Sequence, residues 1–191
     1  MRKVVAGLFI SLDGVVEAPE TWHFPYFNDE MGREVESQMT ATDAMLLGRV
    51  TYEGFAAFWP NQSDDDPIAA RMNGTPKYVV STTLDRADWQ NTTLINGDIA
   101  EAITRLKEQP GKDIGITGSA TLVRSLLRDG LLDELHLLVH PIVVGSGKRL
   151  FPDGSDRVAL ELADSQIFST GVLSLTYRRA PRAEGEAGAG S

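Results

Sequence analysis

The segment spanning residues 113–151 constrains the fold more than any other part of this chain. It reads DIGITGSATLVRSLLRDGLLDELHLLVHPIVVGSGKRLF, so a short apolar run meets Gly118-Ser119 and a helical pattern follows at once. The helical pattern ends at Gly130, and a second apolar run covers 131–144. A strand that turns through glycine into a helix directs free backbone N–H groups and the positive end of the helix dipole at one point. The segment therefore predicts a phosphate-binding turn, which indicates a nucleotide cofactor.

Strand and helix patterns alternate along the rest of the chain. Strands are predicted at 4–10, 44–47, 77–81, 92–95, 114–117 and 131–144. Helices are predicted at 28–40, 50–58, 67–72, 99–108 and 119–128. The alternation indicates an α/β fold with a mostly parallel sheet. Two last strands, 158–168 and 172–179, have no helix between them and predict an antiparallel C-terminal edge. We expect one domain over 1–180 and a disordered tail over 181–191, which is rich in Gly, Ala and Glu.

Composition excludes several classes of protein. The chain has 191 residues and no cysteine, which rules out thiolate metal sites, iron–sulfur clusters and disulfides. Its net charge of −9 argues against binding nucleic acid or an anionic membrane surface. No apolar run reaches the ~20 residues of a membrane helix, and we interpret the N-terminus as a first strand rather than a signal peptide. We expect a cytoplasmic protein that binds a small molecule.

Four stretches of the chain resemble the RibD C-terminal, dihydrofolate-reductase-like superfamily. They are VAGLFISLDG, DAMLLGRVTYEGF, YVVST and the long segment that begins GITGSATLVRSLL. The resemblance extends over residues 2–179 and implies a three-layer dihydrofolate-reductase-like fold around a mixed sheet, NADPH as cofactor and often a homodimer. Members reduce dihydrofolate or a ribosylamino-pyrimidine of riboflavin biosynthesis. This chain has no fused deaminase domain, so it is similar to the stand-alone relatives.

The resemblance implies a cofactor site made of two strand-to-helix turns and one strand end. At Gly48-Arg49 a glycine permits close backbone approach, an arginine can pair with a phosphate, and Thr51 adds a hydroxyl. A tight turn with a solvated arginine is the alternative. The hydroxyls at 81–82 are implied to lie beside the adenosine 2′-phosphate, or else only to form a turn. The complete predicted set is Gly48, Arg49, Thr51, Ser81, Thr82, Thr117, Gly118, Ser119, Ala120, Thr121 and Leu122.

The turn at 118–119 does not belong to the Rossmann class. It has no full GxGxxG, and no acidic residue follows at the spacing of a ribose-binding acid. Without a ligand, the same residues would be only a glycine turn between a strand and a helix.

Asp13, in the SLDG loop after the first strand, is the candidate catalytic residue. The resemblance places this loop beside the nicotinamide and the substrate, where an acid donates a proton or a hydrogen bond. An ordinary Asp-Gly turn is the alternative. Asp29, Glu30 and Glu34 on the 28–40 helix are rival acids, and a solvated helix face is the simpler interpretation of Glu34.

The histidines and the neighbouring basic pair have plain structural alternatives. His136 and His140 share one face of a strand, and we expect a polar, outward-facing side or a dimer contact there, with no metal site. Lys148-Arg149 either binds an anionic substrate group or lies in a hairpin with solvated charges. The aromatic residues at 22–27 either cover the substrate or fill the core of their loop.

The sequence therefore predicts an NADPH-dependent oxidoreductase that transfers hydride to a pteridine- or pyrimidine-type substrate. The alternative is a non-catalytic nucleotide-binding or dimeric scaffold protein with the same fold.

Overall fold

The computed structural model describes residues 1–63 and 65–181. Its strands are β1 (Val4–Ser11), β2 (Thr42–Gly48), β3 (Lys77–Val80), β4 (Thr92–Ile95), β5 (Asp113–Thr117), β6 (Glu134–His140), β7 (Leu160–Ile167) and β8 (Leu173–Arg179). Its helices are α1 (Asp29–Ala41), α2 (Arg49–Phe58), α3 (Pro67–Gly74), α4 (Ile99–Glu108) and α5 (Ala120–Asp129). Short 3₁₀ turns occupy Pro19–Thr21, Phe24–Tyr26 and Trp59–Asn61.

The eight strands form one sheet in the order β4-β3-β2-β5-β1-β6-β8-β7. The first six strands of this order run parallel, β8 is antiparallel to β6, and β7 is antiparallel to β8. This arrangement confirms the predicted α/β fold with an antiparallel C-terminal edge. Parallel strands need crossover helices, which cover both faces of the sheet and explain why the central strands are almost continuously apolar.

The helices form two layers around the sheet. On one face α4 and α5 bury Ile103, Leu106 and Leu126 against the even-numbered side chains of β1. On the other face α1 packs through Met31 against Leu138. Helices α2 and α3 pack beside it on a separate cluster that contains Leu47, Tyr52, Met72, Val79 and Trp89. The result is the three-layer arrangement that the family resemblance implies, and the face with α1, α2 and α3 carries much of the candidate site.

Strand β6 is shorter than the predicted 131–144. Gly130 adopts a left-handed conformation (φ 73°) after α5, and the N–H groups of Leu131 and Leu132 both bond the carbonyl of Leu126. These residues therefore close the helix rather than start the strand. At the other end Pro141, which has no N–H for the ladder, follows the last residue of β6.

Most of the predicted C-terminal tail, residues 182–191, lies outside the described residues. Within the described part of the chain, no helix is long and apolar enough to cross a membrane.

Candidate functional site

A cleft of ≈ 1300 Å³ lies on the α1 face of the sheet and continues past the start of α5 to residues of the α4 and α5 face, such as Leu8, Ile99 and Leu131. Residues of α1, α2, α3 and α5 line it, together with β1, β5 and β6. The structure brings most of the predicted cofactor residues together in this cleft. They are Gly48, Arg49, Thr51, Thr117, Gly118, Ser119, Ala120, Thr121 and Leu122.

Two helix N-termini meet at this end of the cleft. Helix α2 begins after Gly48 and helix α5 begins after Ser119, and no described side chain caps the first turn of either helix. The first N–H groups of a helix lack partners inside the helix, and the helix dipole adds positive potential beside them. Two such ends side by side suit the phosphates of a nucleotide.

Ser119 joins the two turns. Its hydroxyl accepts the backbone N–H of Gly48 at 2.9 Å and donates to the hydroxyl of Thr51 at 3.0 Å. The side chain is buried. This pair of contacts fixes the spacing between the starts of α2 and α5, although 71 residues of chain separate Gly48 from Ser119.

The glycine in the second turn meets a backbone requirement. Gly118 has φ +71°, a conformation that L side chains rarely adopt, and a Cβ there would lie 3.2 Å from Thr51 Cγ2. Gly118 therefore allows the chain to turn from β5 into α5 while its backbone stays close to α2.

Arg49 and the hydroxyls at 81–82 have different surroundings. Arg49 lines the cleft, is partly exposed and pairs with Glu53 of the same helix at 3.1 Å. The hydroxyl of Ser81 accepts the N–H groups of Thr83 and Leu84. Neither Ser81 nor Thr82 lines the cleft. Arg49 thus lies in the cleft, whereas Ser81 stabilises a turn.

The floor of the cleft is the middle of the sheet. Gly7 of β1 is the register partner of Thr117 on β5 and of His136 on β6. Strand partners in register direct their side chains to the same face of the sheet. Gly7, which has no side chain, therefore lies between the side chains of Thr117 and His136. An ideal Cβ on Gly7 would lie only 2.6 Å from Oε1 of Gln38, which projects from α1.

His136 belongs to a charged group at the edge of this floor. Its Nε2 lies 3.2 Å from Glu134, and Nδ1 lies 3.4 Å from the hydroxyl of Thr176. Glu134 also pairs with Lys3 at 2.8 Å and Arg178 at 2.9 Å. Burial raises the pKa of Glu134, but the hydrogen bonds from these partners outweigh it and lower the pKa to about 2. The Glu134 carboxylate is therefore ionised, and the cationic side chains of Lys3 and Arg178 balance its charge.

The side chain of Asp13 is hydrogen-bonded to the loop that follows β6. Its carboxylate accepts the hydroxyl of Ser11 at 2.6 Å and the backbone N–H groups of Val144 (3.0 Å) and Gly145 (2.9 Å). The Ser11 hydroxyl, followed by these N–H groups, lowers the pKa of Asp13 to about 2. Asp13 does not line the cleft. This geometry favours a structural carboxylate over a proton donor, and the catalytic role stays a prediction.

The rival acids on α1 divide into different environments. Glu30 accepts the backbone N–H of Ser169, and Asp29 is exposed in the first turn. Glu34 is partly buried and accepts from Nε2 of Gln38 at 2.7 Å, and its solvation stays a prediction. At the cleft rim, the backbone N–H of Lys148 donates to Glu17.

The expectation of an outward-facing side chain is wrong for His140. His140 is completely buried, and the rings of Phe9, Trp22, His23 and Tyr26 surround it. Trp22 therefore fills the core of its loop. In the segment just before these aromatic residues, Ala18, Pro19 and Glu20 line the cleft.

Residues 2–174 match the family model of the RibD C-terminal domain. The chain belongs to this family. It is 32% identical over 182 residues to the uncharacterized protein YyaP of Bacillus subtilis (strain 168), covering 92% of this chain and 94% of that protein.

Two solved structures share the fold. A putative riboflavin biosynthesis protein from Shewanella sp. PV-4 superposes with a TM-score of 0.75 at 21% identity, covering 95% of this chain and all of that chain. Dihydrofolate reductase from Enterococcus faecalis, complexed with NADP(H), superposes with a TM-score of 0.62 at 16% identity, covering 94% of this chain and 97% of the reductase. The fold of this member of the RibD C-terminal family is therefore one that a reductase also uses.

The sequence analysis missed Gln38 and misplaced His140. A signal was available for Gln38, because a glycine inside a β-branched strand marks the close approach of another group. That group could not be named, since the pairing of α1 with the middle of β1 appears only in three dimensions.

Proposed function

We propose that this family member is an NADPH-dependent reductase of a small pyrimidine- or pteridine-type compound. The observation that carries the proposal is the pair of helix N-termini at Gly48 and Ser119, which share one end of the cleft with Arg49. The donors there are backbone N–H groups, a hydroxyl and a guanidinium, which is the set that phosphates prefer. The family membership and the shared fold support the same conclusion.

The fit to a dinucleotide extends beyond its phosphates. From the α5 turn, the cleft continues past Thr117 along the sheet to His136 and Leu138 of β6, so a ligand longer than a phosphate can extend along it. Bound NADPH would supply a hydride. The chain would hold the phosphates at the two turns, orient the ring on the sheet and exclude water with the apolar side chains of α1.

Selectivity for NADPH over NADH would depend on Arg49. Its guanidinium pairs with one exposed carboxylate, Glu53, so it can exchange this partner for a phosphate at little cost. An Arg–phosphate contact is charge-assisted and often bidentate.

Nucleotide titration tests this proposal. Trp59 lines the cleft, so quenching of tryptophan fluorescence reports binding. We expect NADPH to bind more tightly than NADH and Arg49→Ala to weaken NADPH by roughly ten- to a hundredfold, as for a charged hydrogen bond. Arg105→Ala is the matched control, because Arg105 also pairs with a glutamate one turn away on an exposed helix face. Absence of NADPH binding at millimolar concentrations would refute the reductase proposal.

A non-catalytic scaffold remains the second candidate. The hydrogen bonds from the backbone N–H groups of residues 144–145 to Asp13 favour the scaffold, because they give the predicted catalytic acid a structural role. NADPH oxidation separates the two functions. A ribosylamino-pyrimidine or dihydrofolate that accelerates the oxidation supports the reductase, while tight NADPH binding without turnover of either class supports the scaffold.

We also propose that the protein forms a homodimer through the sheet edge. Leu162 and Ile167 on the edge strand β7 are 50% and 75% exposed. Exposed apolar residues on an unpaired edge favour contact with another chain. Light scattering coupled to size exclusion is expected to give a dimer mass for the wild type and a monomer mass for Ile167→Lys.

A further inference from the structure

Two asparagines of the chain are followed by glycine, and they lie in different surroundings. Asn96-Gly97 connects β4 to α4, whereas Asn73-Gly74 ends α3. An asparagine that precedes glycine is chemically prone to deamidation, because the glycine carries no side chain to obstruct attack of its backbone nitrogen on the asparagine amide. The surroundings of each pair therefore decide which of them reacts.

The Asn96-Gly97 pair is open to solvent and free of hydrogen bonds. Both residues are exposed, and they belong to neither β4 nor α4. Within the described part of the chain, no group bonds the side chain of Asn96 or the N–H of Gly97. The Asn96 carboxamide can therefore rotate towards the Gly97 nitrogen without breaking a contact.

The residues on either side of this pair are held in place. Ile95 is buried, and its carbonyl accepts the N–H of Ser81 at 3.1 Å. On the other side, the carboxylate of Asp98 caps α4 by accepting the N–H of Glu101 at 3.0 Å. The reacting pair is thus the free part of a connection whose two ends are fixed.

Asn73 has a partner at each end of its amide. Its Nδ2 donates to the carbonyl of Trp59 at 3.1 Å, and its Oδ1 accepts the indole N–H of Trp89 at 2.8 Å. Reaction at Asn73 requires both hydrogen bonds to break and the end of α3 to open first. The same dipeptide is therefore protected at one position and unprotected at the other.

We propose that Asn96 is a site of spontaneous deamidation, which converts it to aspartate and isoaspartate. The Gly97 nitrogen attacks Cγ of Asn96 and closes a succinimide ring, and Nδ2 leaves as ammonia with the proton of the Gly97 N–H. Water then opens the ring at one of its two carbonyls. Cleavage of the bond between Cγ and the Gly97 nitrogen gives aspartate, and cleavage of the original peptide bond gives isoaspartate. The net reaction consumes water, releases ammonia and oxidises nothing.

Isoaspartate lengthens the main chain by one carbon between β4 and α4. Ile95 and Ile99 both pack in the core on either side of the modified residue. Residues 96–98 must therefore absorb the extra carbon, and this segment includes the cap, Asp98. Displacement of the Asp98 carboxylate removes the cap from the first turn of α4. Because Ile99 lines the cleft, the modification also alters the cleft wall.

Peptide mapping by mass spectrometry tests the site. The tryptic peptide 87–105 contains Asn91 as well as Asn96. Asn91 is an internal control, because its Nδ2 donates to the carbonyls of Asn73 and Gly74. After incubation of the folded protein in mildly alkaline buffer, we expect isoaspartate at Asn96 to accumulate at least about tenfold faster than at Asn91, since a bonded amide must first open locally.

Gly97→Ala and Gly74→Ala are matched variants. At both positions φ lies outside the left-handed region and a Cβ would have no neighbour within 4 Å, so both variants are expected to fold. Gly97→Ala is expected to slow deamidation of Asn96 roughly tenfold, because alanine restricts the approach of the backbone nitrogen. Gly74→Ala is expected to leave the rate unchanged. Equal rates at Asn96 and Asn91, or an unchanged rate in Gly97→Ala, would overturn the site.

Melting temperatures test the effect on α4. Aged wild-type protein is expected to melt below fresh protein, whereas aged Asn96→Gln, whose longer side chain does not form the succinimide, is expected to melt like its fresh sample. Asn96→Asp adds the charge without the extra carbon and is expected to melt close to fresh wild type. Aged protein that contains isoaspartate but melts like fresh protein would refute the loss of the cap. The reaction needs no ligand, so its outcome is independent of the reductase proposal.

Discussion

The hydroxyl oxygen of Ser119 accepts the backbone N–H of Gly48 at 2.9 Å and links the starts of α5 and α2 across the sheet. A second hydrogen bond runs from the same hydroxyl to Thr51. Because Ser119 is buried, water cannot replace it. The relative position of the two helix N-termini therefore depends on one side chain.

Ser119→Ala is expected to lower the free energy of unfolding by about 1–3 kcal/mol, since the Gly48 N–H and the Thr51 hydroxyl lose their partner. The affinities for NADPH and for NADH are expected to fall by similar factors, because the contact positions both helices equally. Urea denaturation and nucleotide titration measure the two effects. Ser37→Ala on the exposed face of α1 is the control and is expected to change neither.

The sequence predicted the fold well because its elements follow local rules. Most strand and helix bounds agree within about two residues, since glycine turns and caps such as Asp98, which accepts the N–H of Glu101, are local signals. The cofactor turns were predictable for the same reason. The roles of Asp13, Gln38 and His140 were not, because each depends on a partner from a distant element: the 144–145 loop, the centre of β1 and the 22–26 loop. Such contacts leave no periodic pattern.

Asp13→Asn is expected to reduce thermal stability at pH 7, because an amide cannot accept all the hydrogen bonds from Ser11, Val144 and Gly145. The folded pKa of Asp13, about 2, lies below its ordinary value of 3.8. The carboxylate therefore contributes stability above pH 3.8 that is lost as the pH falls through 2.

Melting temperatures of wild type and Asp13→Asn are accordingly expected to converge towards pH 2. NADPH affinity is expected to stay constant, since Asp13 does not line the cleft. A variant that melts like the wild type but no longer oxidises NADPH with a substrate would instead establish the catalytic role.

The buried histidines predict a loss of stability in mild acid. Burial, and then the charge of His140, lower the pKa of His23, an effect that Glu20 partly offsets; burial also lowers the pKa of His140. In the folded protein the pKa of each of these histidines lies below its ordinary value. Below about pH 6.5 the unfolded chain therefore binds more protons than the folded protein does. Stability is thus complete above that pH and declines as the pH falls, by at most about 1.4 kcal/mol per pH unit for each histidine.

His23→Phe is expected to flatten this decline, because a phenyl ring keeps the stacking on Phe9 (4.6 Å between centroids) and cannot take a proton. Urea denaturation at pH 5.5 and 7.5 gives the slope. Ser37→Ala, which removes no titratable group from the exposed face of α1, is the control and is expected to retain the wild-type slope. An identical slope in His23→Phe would exclude this histidine as a source of the acid sensitivity.

Lys77 stabilises the end of α3 from inside the protein. It is 0% exposed, and its Nζ donates to the carbonyls of Met72 (2.9 Å), Asn73 (3.1 Å) and Thr75 (2.8 Å). The ring of Trp89 lies 4.1 Å from the same nitrogen. Lys77→Met keeps the apolar length but leaves three carbonyls without a donor, so we expect a loss of about 3 kcal/mol in the free energy of unfolding at pH 7.

The loss of unfolding free energy in Lys77→Met is expected to be larger at high pH. Burial lowers the pKa of Lys77 to about 8 from 10.5, so between these values the unfolded chain holds a proton that the folded protein has released. Wild-type stability therefore gains from this group as the pH rises through that window, and Lys77→Met lacks the gain. Denaturation of both proteins at pH 7 and 9.5 measures the difference. Lys112→Met, which removes a single contact with the carbonyl of Thr40 at the surface, is expected to show neither the loss nor its pH dependence.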